Sequence, residues 1–203
     1  LAHNSHPESN IRIVVTGGSS PDFITPPDQP RLLILITALM QAPGWWYTQG
    51  VKIITLHTLR SFPGAKSIDY IPATVALKAA RQYEAIEAVY LDETGNILEG
   101  TTSNIFAFSG NHLVTPGKEI LSGVTRKNIM QLADEFYDLD VRQMGRSELL
   151  CASEVFITST NKGVVPVVTV DETVIGQGTP GIRTRKLMSA FKAHTMRLAE
   201  AYE

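Results

Sequence analysis

The stretch Leu98-Glu99-Gly100-Thr101-Thr102-Ser103-Asn104-Ile105-Phe106 sets one acid between two apolar runs. Glu99 closes the run Ile97-Leu98, meets a glycine, and gives way to three hydroxyl residues before the chain turns apolar again at Ile105. The flanks read as strands and the middle as a turn. A carboxylate whose flanks are core needs a cation or a strong donor, because a buried unpaired charge is costly. An isolated Glu-Gly pair reads as a solvated turn. Here the surrounding chain offers partners for the acid.

Upstream, Lys66 follows Phe62-Pro63-Gly64-Ala65 and precedes Ser67-Ile68-Asp69-Tyr70. This largely apolar setting is expected to desolvate the amine and favour nucleophilic imine chemistry. A lone lysine in such a place is more often a snorkelling surface residue. Downstream, Gly123-Val124-Thr125-Arg126 opens a helix, and its first N–H groups at Val124 and Thr125 favour an anion. The same residues also suit an ordinary threonine cap. Ser159-Thr160-Asn161, at a strand end, offers hydroxyls and amides to a phosphate or carboxylate, or makes a plain polar turn. An amine, a buried acid and two anion cradles are together what pyridoxal phosphate requires: an imine partner, a carboxylate for the ring nitrogen and a phosphate cup.

Composition narrows the ligand class. With 203 residues, 43% hydrophobic and 19% charged, the chain can bury a real core and fits one full domain plus part of another. A net charge of -2 without a block of like charges gives no case for nucleic acid or an anionic membrane, so a small molecule is the expected partner. Cys151 is the only cysteine, which excludes an intrachain disulfide and makes the cytoplasm the default compartment. None of the five histidines falls at i, i+4 beside a carboxylate, so no metal site is expected. The longest apolar run, residues 32–40, is too short to span a bilayer.

In order, the chain opens at Leu1 with a polar segment containing Pro7, which reads as the tail of a domain with further sequence expected upstream. Residues 11–16 read as a strand, 32–37 as a buried strand, and Gln41-Ala42-Pro43-Gly44 as a connector. The expected division is 1–41 as the C-terminal part of a small N-terminal domain, 42–50 as a linker and 51–203 as a large domain. The large domain reads as a β meander with inserted helices. Its strands fall at 51–58, 87–91, 104–108, 112–115, 141–144, 154–158 and 164–170, with a hairpin turn at Glu93-Thr94-Gly95-Asn96. Its helices fall at 70–83, with Ile71, Val75, Ala79 and Tyr83 as the apolar face, at 123–137 with Ile129, Met130, Leu132 and Ala133 inward, at 147–152 capped by Ser147, and at 181–202.

Five ordered motifs now carry a resemblance. Lys66-Ser-Ile-Asp-Tyr70, Glu99-Gly-Thr-Thr-Ser-Asn-Ile-Phe106, Leu121-Ser-Gly-Val-Thr-Arg126, Glu154-Val-Phe-Ile-Thr-Ser-Thr160 and Val165-Pro-Val-Val168 resemble the class IV (fold type IV) pyridoxal phosphate enzymes over nearly the whole chain from Ile11. The motifs are nearest to branched-chain aminotransferases, and are similar also to D-amino acid aminotransferases and aminodeoxychorismate lyases. The resemblance implies a mixed α/β (α+β) fold, with a β-meander or pseudo-barrel cofactor domain carrying helices and the end of a smaller N-terminal α/β domain.

By position, the resemblance makes Lys66 the Schiff-base lysine and proton shuttle, and Glu99 the partner of the ring nitrogen. Val124 and Thr125 become holders of the phosphate, with Ser159 or Thr160 completing the cup. The amides of Thr160 and Asn161 would face the substrate carboxylate, Tyr70 would lie beside the ring, and Arg12 would lie near the substrate side-chain pocket. Gly17 stands where the D-amino acid enzymes carry Thr-Arg-Gly, which disfavours D-specificity. Asp69 stands where asparagine is usual, and Gly163 replaces a common glutamate. The family's phosphate-binding arginine belongs to the small domain, ahead of this chain's beginning. The implied activity is amino-group transfer between a branched-chain or other aliphatic L-amino acid and 2-oxoglutarate, in a homodimer. The alternatives are an aminodeoxychorismate lyase, forming 4-aminobenzoate and pyruvate, or a pyridoxal-phosphate-binding homologue without turnover.

Overall fold

Strand β1 (Ser9–Thr16) pairs antiparallel with β2 (Arg31–Ala38), with Ser9 opposite Ala38 and Thr16 opposite Arg31. The β-branched and aliphatic residues of both runs favour this extended pairing. The computed structural model describes residues 8–22, 24–26 and 28–201, and falls into two compact units, Leu1–Gln41 and Ala42–Glu203. The expected strand at 32–37 is present but exposed rather than buried: Leu32, Ile34 and Leu35 all face solvent. The described part of the first unit contains no further layer to cover them. The opening segment around Pro7 and the last expected helical residue, Tyr202, lie outside the described residues.

The second unit begins with helical structure where the sequence suggests a connector. Helix α1 (Trp45–Thr48) packs Trp46 and Tyr47 against the core, and the Tyr47 hydroxyl donates to the Lys162 carbonyl at 2.9 Å. Nine strands follow in one sheet: β3 (Val51–His57), β4 (Glu87–Leu91), β5 (Ile97–Gly100), β6 (Asn104–Ser109), β7 (His112–Thr115), β8 (Asp138–Val141), β9 (Glu154–Ser159), β10 (Gly163–Val170) and β11 (Thr173–Val174). Their order is β5-β4-β3-β10-β9-β6-β7-β8, with β11 on β10. The sheet is mixed rather than a simple meander. Pairs β3–β4, β3–β10 and β7–β8 are parallel, while the hairpins β6–β7 and β9–β10 are antiparallel.

Strands buried on both faces, such as β4 and most of β6, explain the near-continuous apolar runs in the sequence. On one side Phe106 stacks on Phe156 at 4.9 Å between ring centres, under α3 (Val124–Ala133) and α5 (Ile182–Glu200). Helix α2 (Ile71–Gln82) corrects the expected face. Ala73, Ala76 and Ala80 are buried, whereas Ile71, Val75 and Tyr83 are exposed, because a stripe of small side chains lets the helix seat closely against β3 and β4. Two further boundaries move. Strand β8 ends at Val141, where Thr115 is its partner, instead of starting there, and α4 (Arg146–Leu150) follows Gly145 without the expected Ser147 cap. Helix α3 stops at Ala133, where the Phe136 and Tyr137 amides turn back onto the Ala133 carbonyl.

Candidate active site

Strand β5 carries Glu99 to a place where only 6% of its side chain meets solvent. Its Oε1 accepts from Arg60 Nη1 at 2.5 Å and its Oε2 accepts from the Leu121 amide at 2.9 Å. Burial pushes this carboxyl above its ordinary value. The Arg60 hydrogen bond, the Leu121 amide and the charges of Arg60 and Lys66 pull it back down. Arg60 also donates to the carbonyls of Pro63 at 3.0 Å and Ala65 at 2.5 Å, so one planar guanidinium ties the acid to the loop that ends in Lys66.

Leu121 leads directly into α3. No side chain caps that helix, so the leading N–H groups at Val124 and Thr125 are offered outward. Asn104 braces the approach: its Nδ2 donates to the Leu121 carbonyl at 2.8 Å, and a Cβ at Gly123 would strike its Oδ1. Asn104 is the register partner of Thr158 on β9, which brings the end of β9, Ser159, and the turn residues Thr160 and Asn161 to the same end of the sheet. The Thr158 hydroxyl is buried and has no hydrogen-bond partner, a rare condition in a folded core. Uncapped helix amides, a glycine beside them and an orphaned hydroxyl at the adjoining strand end fit a phosphate group. The buried acid and nearby amine fit the ring and aldehyde of pyridoxal phosphate.

A second acid lies behind the first. Glu87, at the start of β4, has no exposed side-chain surface and is filled by donors. Its Oε1 accepts from the amides of Ala88 and Thr101, each at 3.2 Å, and from the Thr101 hydroxyl. Its Oε2 accepts from Thr102 and Ser103 hydroxyls at 3.0 and 3.1 Å and from Lys162 Nζ at 3.1 Å. Burial and the neighbouring Glu87 charge push the Tyr90 phenol up to about 12, with Arg60 opposing. The three hydroxyls after Glu99 thus serve Glu87, not Glu99.

The remaining expected residues fall as follows. Lys66 is exposed, which corrects the expected apolar burial: residues 58–70 run as irregular chain outside the sheet. Tyr70, 40% exposed, immediately precedes α2, where its carbonyl accepts the Thr74 amide at 2.8 Å. Val124 is exposed and Thr125 buried; Ser159 is half-buried, and Thr160 and Asn161 are exposed. Arg12 sits on β1 opposite Leu35, in the separate first unit. Asp69 is turned toward the start of α2, its Oδ1 accepting the Ile71 amide at 3.2 Å. Gly163 has φ +64°, a conformation that a glutamate would adopt only with strain.

A cavity of about 310 Å³ opens beside the Lys66 loop, lined by Arg60, Ser61, Phe62, Ser67, Ile68, Asp69 and Pro72. It contains neither Glu99 nor the start of α3, so the convergent polar groups, rather than this hollow, define the site. Arg60, Glu87, Asn104 and Lys162 are the residues bracing this candidate site that sequence reasoning passed over. At Glu87 a signal was available, since it is a lone acid in an apolar strand like Glu99.

The family described as amino-transferase class IV matches residues 1–170. The chain belongs to that family. This class IV chain is 32% identical over 157 residues to D-alanine aminotransferase of Bacillus licheniformis, covering 75% of its own length and 55% of that protein. It is also 32% identical over 200 residues to the putative branched-chain-amino-acid aminotransferase of Methanocaldococcus jannaschii, covering 95% of its own length and 69% of that protein. Among solved structures, a T.th. branched-chain amino acid aminotransferase complexed with N-(5′-phosphopyridoxyl)-L-glutamate matches with a TM-score of 0.71 at 27% identity, over 81% of this chain and 56% of that one. The mixed α/β fold expected of the family is therefore the fold found. The chain spans between about half and about two-thirds of these relatives' lengths.

Proposed function

We propose that this chain acts as a pyridoxal-phosphate-dependent transaminase, moving an amino group between a branched-chain or other aliphatic L-amino acid and 2-oxoglutarate. One observation carries the reading: a buried carboxylate, Glu99, held by one arginine to the Lys66 loop and by one amide to the approach to α3. The phosphopyridoxyl-glutamate adduct held by the T.th. relative supports the choice of cofactor and of a glutamate-family co-substrate. Bound here, pyridoxal phosphate supplies an electrophilic aldehyde and a ring that accepts electrons.

Each residue then has a defined task. Lys66 Nζ would hold the aldehyde carbon and, when free, take and return a proton. Glu99, paired with Arg60, would accept the ring N–H and so favour the positively charged ring. The Val124 and Thr125 amides with the Ser159 and Thr160 hydroxyls take the phosphate. The Thr160 and Asn161 amides take the substrate carboxylate, and Tyr70 borders the ring. By resemblance, Arg12 serves the substrate's side-chain end, and the protein works as a cytoplasmic homodimer. The absence of an arginine at Gly17 favours an aliphatic L-substrate over D-alanine, despite the D-alanine enzyme among the relatives.

The test is product analysis on the cofactor-loaded protein with L-leucine, D-alanine or 4-amino-4-deoxychorismate, with 2-oxoglutarate as acceptor. L-leucine is expected to give glutamate and the matching oxo acid. Pyruvate with 4-aminobenzoate would establish the lyase instead, and turnover of D-alanine alone would overturn the L-specific reading.

A further inference from the structure

Lys162 stands in the three-residue turn between β9 and β10, beside Thr160 and Asn161. It is held at both ends. Its carbonyl accepts the Tyr47 hydroxyl at 2.9 Å, and its ammonium donates to Glu87 Oε2 at 3.1 Å and to Thr102 Oγ1 at 2.9 Å. The Lys162 side chain is 20% exposed, whereas the Glu87 side chain has no exposed surface. Lys162 is the only cation in ion-pair contact with Glu87 among the described residues. An ion pair of this kind is expensive to break from one side, because the buried carboxylate loses its counter-charge. The turn is otherwise short and reverses through Gly163 at φ +64°, so its peptide planes follow wherever Lys162 is anchored.

We infer that Lys162 is a positioning residue: by clamping its turn to Glu87 and Thr102, it fixes the Thr160 and Asn161 amides in the orientation that receives the substrate carboxylate. The inference rests on the assignment of those amides under Proposed function. The clamp joins four segments, namely α1, the start of β4 at Glu87, the 101–103 turn after Glu99, and the 160–162 turn. Glu87 is thereby the anchor and Lys162 the strap, and neither touches substrate. The anchor also explains why Thr101, Thr102 and Ser103 follow Glu99, since all three hydroxyls close around Glu87.

The experiment compares wild type with Lys162→Met, which keeps chain length but drops the charge, and with Lys162→Arg, which restores a cation. Amide hydrogen exchange of residues 160–163 is followed in the cofactor-free protein, and KM and kcat are measured for the loaded enzyme. In Lys162→Met, exchange at these amides and KM for both amino donor and oxo acid should each rise about tenfold, the worth of one charge-assisted hydrogen bond. Over the same substitution kcat should stay within about twofold, since the lost contact orders bound substrate rather than the reacting atoms. Lys162→Arg should recover most of both changes. Lys162→Gln replaces the methionine variant if that one does not fold.

Unchanged exchange overturns the clamp. Faster exchange with unchanged KM, or a lowered Tm alone, reduces Lys162 to a structural role and overturns the inference. If wild type turns over no amino donor, the transaminase reading fails, and the exchange measurement still decides whether Lys162 pins the turn.

Discussion

Replacing Arg60 by methionine removes three donor contacts at once: to Glu99 Oε1, to the Pro63 carbonyl and to the Ala65 carbonyl. Glu99 keeps only the Leu121 amide, with 6% of its side chain in contact with water. Breaking a buried ion pair from one side costs about 3–5 kcal/mol, and the 19% exposure of Arg60 places this case near the lower end, at about 3 kcal/mol. The cost depends on pH with a definite sign. Burial already holds Glu99 above its ordinary value of 4.5, so the folded state binds this proton more tightly than the unfolded chain. For such a group, stability falls as pH rises from the unfolded value through the folded one.

Loss of Arg60 raises the folded value further, so the penalty grows as pH rises toward neutrality and shrinks in acid. With Glu99 protonated, only the two carbonyl contacts are missing, about 1–2 kcal/mol together. Urea denaturation of wild type and Arg60→Met at about pH 7 and about pH 4.5 reads the difference. At a slope of ~2 kcal/mol/M the neutral midpoint should fall by about 1.5 M, and the acid midpoint by roughly half as much. An equal shift at both pH values, or a neutral shift worth under about 1 kcal/mol, would refute the claim that Arg60 stabilises the ionised form of Glu99.

Three further outcomes follow from the same geometry. Gly100→Ala should destabilise by about 1–3 kcal/mol, because the added methyl strikes Ser103 Oγ and crowds Glu87 Cγ and Cδ at 3.2 and 3.3 Å; chemical denaturation checks it. Phe156→Ala should cost about 3–5 kcal/mol in the same assay, since it empties the space between Phe106 and Phe108. Asp92, pulled down to about 2 chiefly by the Asn96 side chain, lends the 92–96 turn stability that is present above its ordinary value of 3.8 and lost as pH falls through 2. Thermal melts of Asp92→Ala should therefore converge on wild type across that acid window, and a gap that stays constant would contradict the assignment.

Much of the site could be read from residue order, because its pieces are local signals. A lone acid between apolar runs marks Glu99, and a glycine before Val124-Thr125 marks an uncapped helix start. What stayed hidden depends on contacts between distant segments. Arg60 looks like a loop arginine until folding brings it to an acid 39 residues away, and Lys162 looks like a turn lysine until it meets Glu87 across 75 residues. The face of α2 misled for a different reason. Ile71 and Val75 outweigh alanine in any hydrophobic tally, yet close packing on β3 and β4 selects the small stripe Ala73, Ala76 and Ala80. Strand β2 reads as buried from its composition, but burial needs a covering layer, which its own sequence does not encode.

The central claim is that the Lys66 amine and the Glu99 carboxylate address one bound pyridoxal phosphate. It is tested most directly by adding that cofactor, reducing with borohydride and mapping the modified peptide by mass spectrometry. The account predicts a visible absorption band that reduction abolishes and a pyridoxyl group on Lys66, with neither in Lys66→Ala. Protein that stays colourless with excess cofactor, or a label on any other lysine, would contradict it.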